Sequence, residues 1–249
     1  MDIYEGDFKS TLNDLKNTLL CKRTADQCNS DDEFRMIFQY LFLFFDYYRG
    51  VDNLIDNEMT PAVFPIVRSA AECFVSIYRL CSKYGTVDFE IEQNQIYYED
   101  ARQLTSLYDA TSDQKEKSEL LDRTKKILEV TGDIQKSDNK SYDECRAILK
   151  QKKCSKRKTD LIYETFSKLP EYYNSDIHSC ETLYGELCVY THNNSDSIIQ
   201  RYYDIRNNPP IFTQNKIDDN IIPAKFMFVA CSRYINSWVK INIIAQSDE

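Results

Sequence analysis

Between Gly6 and Gly50 the chain contains neither glycine nor proline. A stretch that long without a breaker does not suit a fold made of many short strands and tight turns. The whole chain of 249 residues carries only 5 glycines and 6 prolines. An all-β sandwich or barrel is therefore disfavoured, and long helices are expected.

Spacing and punctuation place the helices. Phe8, Leu12, Leu15, Leu19 and Leu20 recur at helical intervals over 7–29. "NSDD" at 29–32 offers N-caps for an aromatic helix over about 32–56. Thr60 followed by Pro61 caps a helix over about 61–83, closed by Gly85. Further helices are predicted at 90–110, at 113–130 capped by Ser112 or Asp113, and at 141–151, 157–168, 177–206 and 219–246. "TGDIQKSDNKS" at 131–141 reads as a polar connector, and "NNPPIF" at 207–212 as a firm stop. The expectation is an all-α protein. It is read as a single helical bundle domain over 1–249, of eight or nine helices, with an irregular connection at about 207–218 before the last helix.

Charge and cysteine usage narrow the surroundings. A net charge of −9 repels nucleic acid on average, so an RNA contact needs a local basic patch. The 9 cysteines are odd in number, irregular in spacing and without a CxxC pair, which fits reduced thiols in a cytoplasmic compartment. The most apolar run, 36–48, is broken by Gln39 and Asp46 and falls short of the roughly 20 residues of a membrane span. It reads as buried helix, with no membrane contact expected. Its apolar surface exceeds what one bundle face needs, so a homodimer or a protein partner is a candidate use.

Chemistry centres on "RSAAECFVSIYRLC", 68–81. Arg68, Ser69, Glu72, Ser76 and Arg79 share one polar strip on an otherwise apolar helix. The strip is either a solvated face carrying a surface ion pair or a polar cleft inside the bundle. A second candidate is His192 in "ETLYGELCVYTHNNSD", with Gly185 and Cys188 on its face and Asp196 one turn on. Histidine exchanges protons near neutral pH, though a lone helical histidine is more often structural. His178 lies in a polar stretch and reads as exposed. The third candidate is "KQKKCSKRK", 150–158, whose Lys152, Lys153, Lys156, Arg157 and Lys158 could neutralise phosphates or simply be a solvated turn. No P-loop, GxGxxG, GxSxG, HExxH or ExxH occurs, so no cofactor or metal is expected.

The Arg-x-x-x-Glu helix, the aromatic helix before it and the later "LYGELCVYTH" together resemble a family of uncharacterised bacterial helical proteins, the domain of unknown function numbered 5677. Arg68, Ser69 and Glu72 match its first helix motif, and Tyr184, Leu187 and His192 its second; Cys188 stands where serine is usual. The resemblance covers roughly 30–200. That family is distantly similar to HEPN helical domains, many of them RNA-cleaving toxins or phage-defence effectors. Three alternatives follow, the first two implied by the resemblance and the third by the polar strip itself. One is an interaction or regulatory component of a bacterial defence system. Another is a metal-independent ribonuclease using Arg68, Glu72 and His192. The third is a small-ligand or nucleotide binder lined by the Arg68 strip. The HEPN Arg-x(4–6)-His motif itself is missing, since no arginine stands four to seven positions before either histidine.

Overall fold

The computed structural model describes residues 2–57, 63–152, 158–168 and 214–245. At 2–6, 158–159, 214–220 and 222–223 it describes the backbone alone. Among these residues all regular structure is helical, and the protein is an all-α bundle. The α-helices are α1 (Asp2–Leu20), α2 (Lys22–Ser30), α3 (Asp32–Asp56), α4 (Val63–Cys81), α5 (Phe89–Ala110), α6 (Gln114–Val130), α7 (Tyr142–Gln151), α8 (Lys158–Ser167) and α9 (Gln214–Val239). A π-helical turn, Lys240–Ile244, extends α9. No described helix is long and apolar enough to cross a membrane.

Two compact units emerge, one from Met1–Cys81 with Lys158–Glu249, the other from Ser82–Arg157. In the first, α3 packs along α4, and α1 along α9. Its core is aromatic. The Tyr48 ring lies 4.6 Å from Phe8 and 4.7 Å from Phe228, and Phe74 meets Phe44, Phe166 and Tyr234 at 5.7 to 6.1 Å between centroids. Rings at such separations attract beyond simple area burial, by about 1 kcal/mol per pair. The Tyr48 hydroxyl, wholly buried, donates to the Phe8 carbonyl at 2.7 Å. Burial, reinforced by the charge of Asp52, pushes this phenol far above its ordinary pKa, so it stays a neutral donor.

Sequence punctuation explains most boundaries. Asp31 caps α3 by accepting from the Phe34 amide at 3.0 Å, and Asp113 caps α6 by accepting from the Lys115 amide at 2.8 Å. Ser141 and Glu144 form a capping box on α7. The stretch 7–29, expected as one helix, is two. Cys21 takes an extended backbone (ψ 148°) between α1 and α2. The Thr24 hydroxyl donates to the Thr18 carbonyl at 2.8 Å and so satisfies a group that the break exposes. The last helix starts at Gln214, ahead of the expected 219. The helix expected at 177–206 lies outside the described residues.

The second unit is α5, α6 and α7 around Ala101, Leu128, Ile134, Cys145 and Leu149. Gly132 turns the chain after α6 at φ +74°, where a side chain would be strained. The amides of Asp133 and Ile134 then return to the Leu128 carbonyl at 2.9 and 3.3 Å.

Candidate functional site

On α4 only Pro65 is fully exposed; the rest of the helix is buried or half-buried. The polar strip sits within this packed helix. Arg68 Nε donates to Glu72 Oε1 at 3.2 Å, and the two side chains keep 20% and 25% of their surface in water. A solvated strip would leave such long side chains mostly exposed, so the ion pair is withdrawn from bulk solvent. Ser69 spends its hydroxyl on the Pro65 carbonyl at 3.0 Å. Arg79, two turns beyond Glu72, is buried.

α3 supplies the neighbouring wall. Cys73 Sγ donates to the Tyr40 carbonyl at 3.4 Å. Tyr47 titrates above its ordinary value, chiefly because burial disfavours the phenolate, and also because Cys73 and the Glu72 carboxylate lie near. Burial likewise drives the Cys73 and Cys81 thiols well up, so neither is a nucleophile at neutral pH. The six described cysteines, Cys21, Cys28, Cys73, Cys81, Cys145 and Cys231, are free thiols. Among the described residues no cluster of three His, Cys, Asp or Glu side chains could hold a metal ion. The strip therefore offers a guanidinium and a carboxylate in mutual contact, with Tyr47 beside the carboxylate. Guanidinium and carboxylate groups in general can hydrogen-bond anionic or polar partners.

His192 and His178 lie outside the described residues. Lys153, Lys156 and Arg157 lie outside as well, and Lys158 opens α8 with its backbone alone described. Lys152 has a defined place. Its ammonium pairs with Asp133 and lies 5.1 Å from the Tyr98 ring centre. The hydrogen bond to Asp133 raises its pKa. A lysine so committed braces the second unit.

That brace escaped the sequence reading. Asp133 also accepts from Tyr98 at 2.7 Å and from Thr131 at 2.6 Å. Burial alone would raise the Asp133 carboxyl, but the bonds from Lys152, Thr131 and Tyr98 outweigh it and hold the carboxyl below its ordinary value. Arg102 adds a second tie, donating through one Nη to the carbonyls of Leu149 and Lys152 at 3.0 and 2.9 Å. Its other Nη is buried without a partner. The only local signal was Gly132 before Asp133, which marks a helix end and not an ion pair.

The exposed face of α3 was missed too. Asp32, Arg35, Gln39, Phe42, Asp46, Arg49 and Asn53 are all exposed, at intervals of three and four residues. Phe42, 36% exposed, belongs to a ladder of rings. The ladder runs from Trp238 through Phe34, Phe38 and Phe42 to Phe45, with neighbouring centroids 5.3 to 6.4 Å apart.

Comparison with known protein families gives one match. The model of a family of unknown function (DUF5677) matches residues 35–209. The chain belongs to this family. No curated protein and no solved structure matches. The DUF5677 span takes in α4 with Arg68 and Glu72, most of α3, and all of the second unit. Helices α1, α2 and α9 lie outside it, and so does Asp32, while Arg35 is its first residue.

Proposed function

We propose that the protein is an interaction or regulatory component that works by docking, with no catalysis of its own. The observation that supports this reading is Phe42. It stands at the middle of an exposed helical stripe and is held between the Phe38 and Phe45 rings. Aromatic side chains held by their neighbours are the usual anchors of protein interfaces, because little rotamer freedom is lost when they are covered. The setting in a bacterial defence system is taken from the likeness of the DUF5677 family to HEPN domains. The test is affinity purification from cells with the wild-type chain and with Phe42→Asp. A partner that co-purifies stoichiometrically with the wild type and is lost with Phe42→Asp is expected. Identical recovery with both would overturn the reading.

A second reading is favoured by the withdrawal of Arg68 and Glu72 from water. A shielded ion pair inside the family match suits a ligand cleft, for a nucleotide or for RNA. In the ribonuclease version Arg68 would stabilise phosphate charge and His192 would move the 2′-hydroxyl proton. The basic run 150–158 would supply phosphate contacts through Lys153, Lys156, Arg157 and Lys158, while Lys152 remains engaged by Asp133. An RNA degradation assay comparing wild type, Arg68→Ala and His192→Ala tests it. Cleavage lost by about a hundredfold in the variants supports the nuclease, and equal rates end it.

A further inference from the structure

The charges along the exposed stripe of α3 follow an order that a docking face for an arbitrary partner does not need. Reading along the helix, the stripe presents Asp32, Arg35, Gln39, Phe42, Asp46 and Arg49. Let a second copy of the helix run antiparallel against it, with Gln39 facing Phe42 of the second copy. The same register sets Arg35 against Asp46 and Asp32 against Arg49. Two-fold symmetry repeats each pairing, so every charge on the stripe between residues 32 and 49 meets its opposite. The alternating intervals of three and four keep all these residues on one seam. In the single chain Arg35 pairs with Asp32 at 2.6 Å and also donates to the Cys28 and Asn29 carbonyls of α2 at 2.9 and 3.1 Å, while Arg49 pairs with Asp46 at 3.1 Å. Exposed pairs of that kind are weak and free to be joined by a second set.

We propose that α3 is a self-association helix: two copies of the chain pair antiparallel along Asp32, Arg35, Gln39, Phe42, Asp46 and Arg49, with the two Phe42 rings on either side of the two-fold axis. The proposal rests on the docking reading and names its partner as a second copy. The exposed Phe42, held by the Phe38 and Phe45 rings beside it, supplies the apolar centre and the four charged positions supply register. A seam of two helices is at the small end of specific interfaces, so the dimer is concentration-dependent.

Sedimentation velocity of the full chain over a dilution series, at low salt, reads this out. The wild type is expected to pass from monomer to dimer. Arg49→Asp sets two aspartates face to face across the seam, and Asp32→Arg sets two arginines. Each variant alone is expected to weaken the dimer by about tenfold or more. Mixed together, the two variants present opposite charges to each other again and are expected to regain the wild-type affinity as a heterodimer. Residues 32 and 49 lie too far apart along one helix to rescue each other within a chain. Phe42→Asp, with all charges kept, is expected to abolish pairing, and circular dichroism confirms that each exposed substitution leaves the helices intact. A wild type that stays monomeric at all concentrations overturns the proposal. So does a dimer indifferent to Arg49→Asp, or a mixture that recovers nothing. Loss of a different co-purifying protein with Phe42→Asp would then leave the broader docking reading standing on its own.

Discussion

Asp133 receives hydrogen bonds from Lys152, Tyr98 and Thr131 while its side chain is only 12% exposed. Asp133→Asn keeps the shape and removes the charge that Lys152 answers. A loss of about 2 kcal/mol in the second unit is expected from urea unfolding. The same residues set a pH window. The folded carboxyl titrates below its ordinary 3.8, so its contribution is complete at neutral pH and is lost as pH falls through the folded value. The folded ammonium titrates above its ordinary 10.5, so its contribution holds up to that pH and is lost as pH rises through the folded value. Amide protection factors in α6 and α7, taken relative to the intrinsic exchange rate at each pH, should therefore fall at both extremes, and Asp133→Asn should flatten both shoulders. None of this was legible in the sequence, because Asp133 and Lys152 meet only when α7 folds back. Arg68 and Glu72 were legible as a pair, since four residues on a helix make neighbours. Their withdrawal from water was not, because burial is decided by what packs around them.

Helices α3, α6 and α7 start at Asp31, Asp113 and Ser141, where oxygen-bearing side chains bond the free amides of the first turn. Asp31 and Asp113 stand among the caps that the local sequence nominates, whereas Ser141 reads there only as the start of a helix over 141–151. Asp31→Ala is expected to cost about 1 kcal/mol of thermal stability, read as a lowered melting temperature. Gly132→Ala, at φ +74°, is expected to cost a similar amount although its Cβ would meet no atom within 4 Å. A void around the site means that strain and not crowding sets the loss. The break at Cys21 had no such mark. Neither glycine nor proline stands there, and the interruption depends on a threonine reaching back from α2 to α1. An apolar period detects a helix face. It does not detect an interruption that preserves the face.

Across the whole molecule the first unit draws its core from distant parts of the chain. Phe8 and Tyr48 close on Phe228, and Phe74 on Phe166 and Tyr234. Phe74→Ala is expected to destabilise the protein by about 3 to 5 kcal/mol, with loss of the cooperative melting transition at growth temperature. A chain stopped at residue 213 lacks every α9 ring, and limited proteolysis should degrade it where the full chain resists. The second unit is written between the two segments of the first, so the chain order also fixes a time order. On the ribosome α5 to α7 are complete while α1 to α4 still await α9. The nascent chain therefore carries Phe8, Phe44 and Tyr48 without their Phe228 partner until the final helix emerges, and exposed apolar surface of that kind favours aggregation during folding.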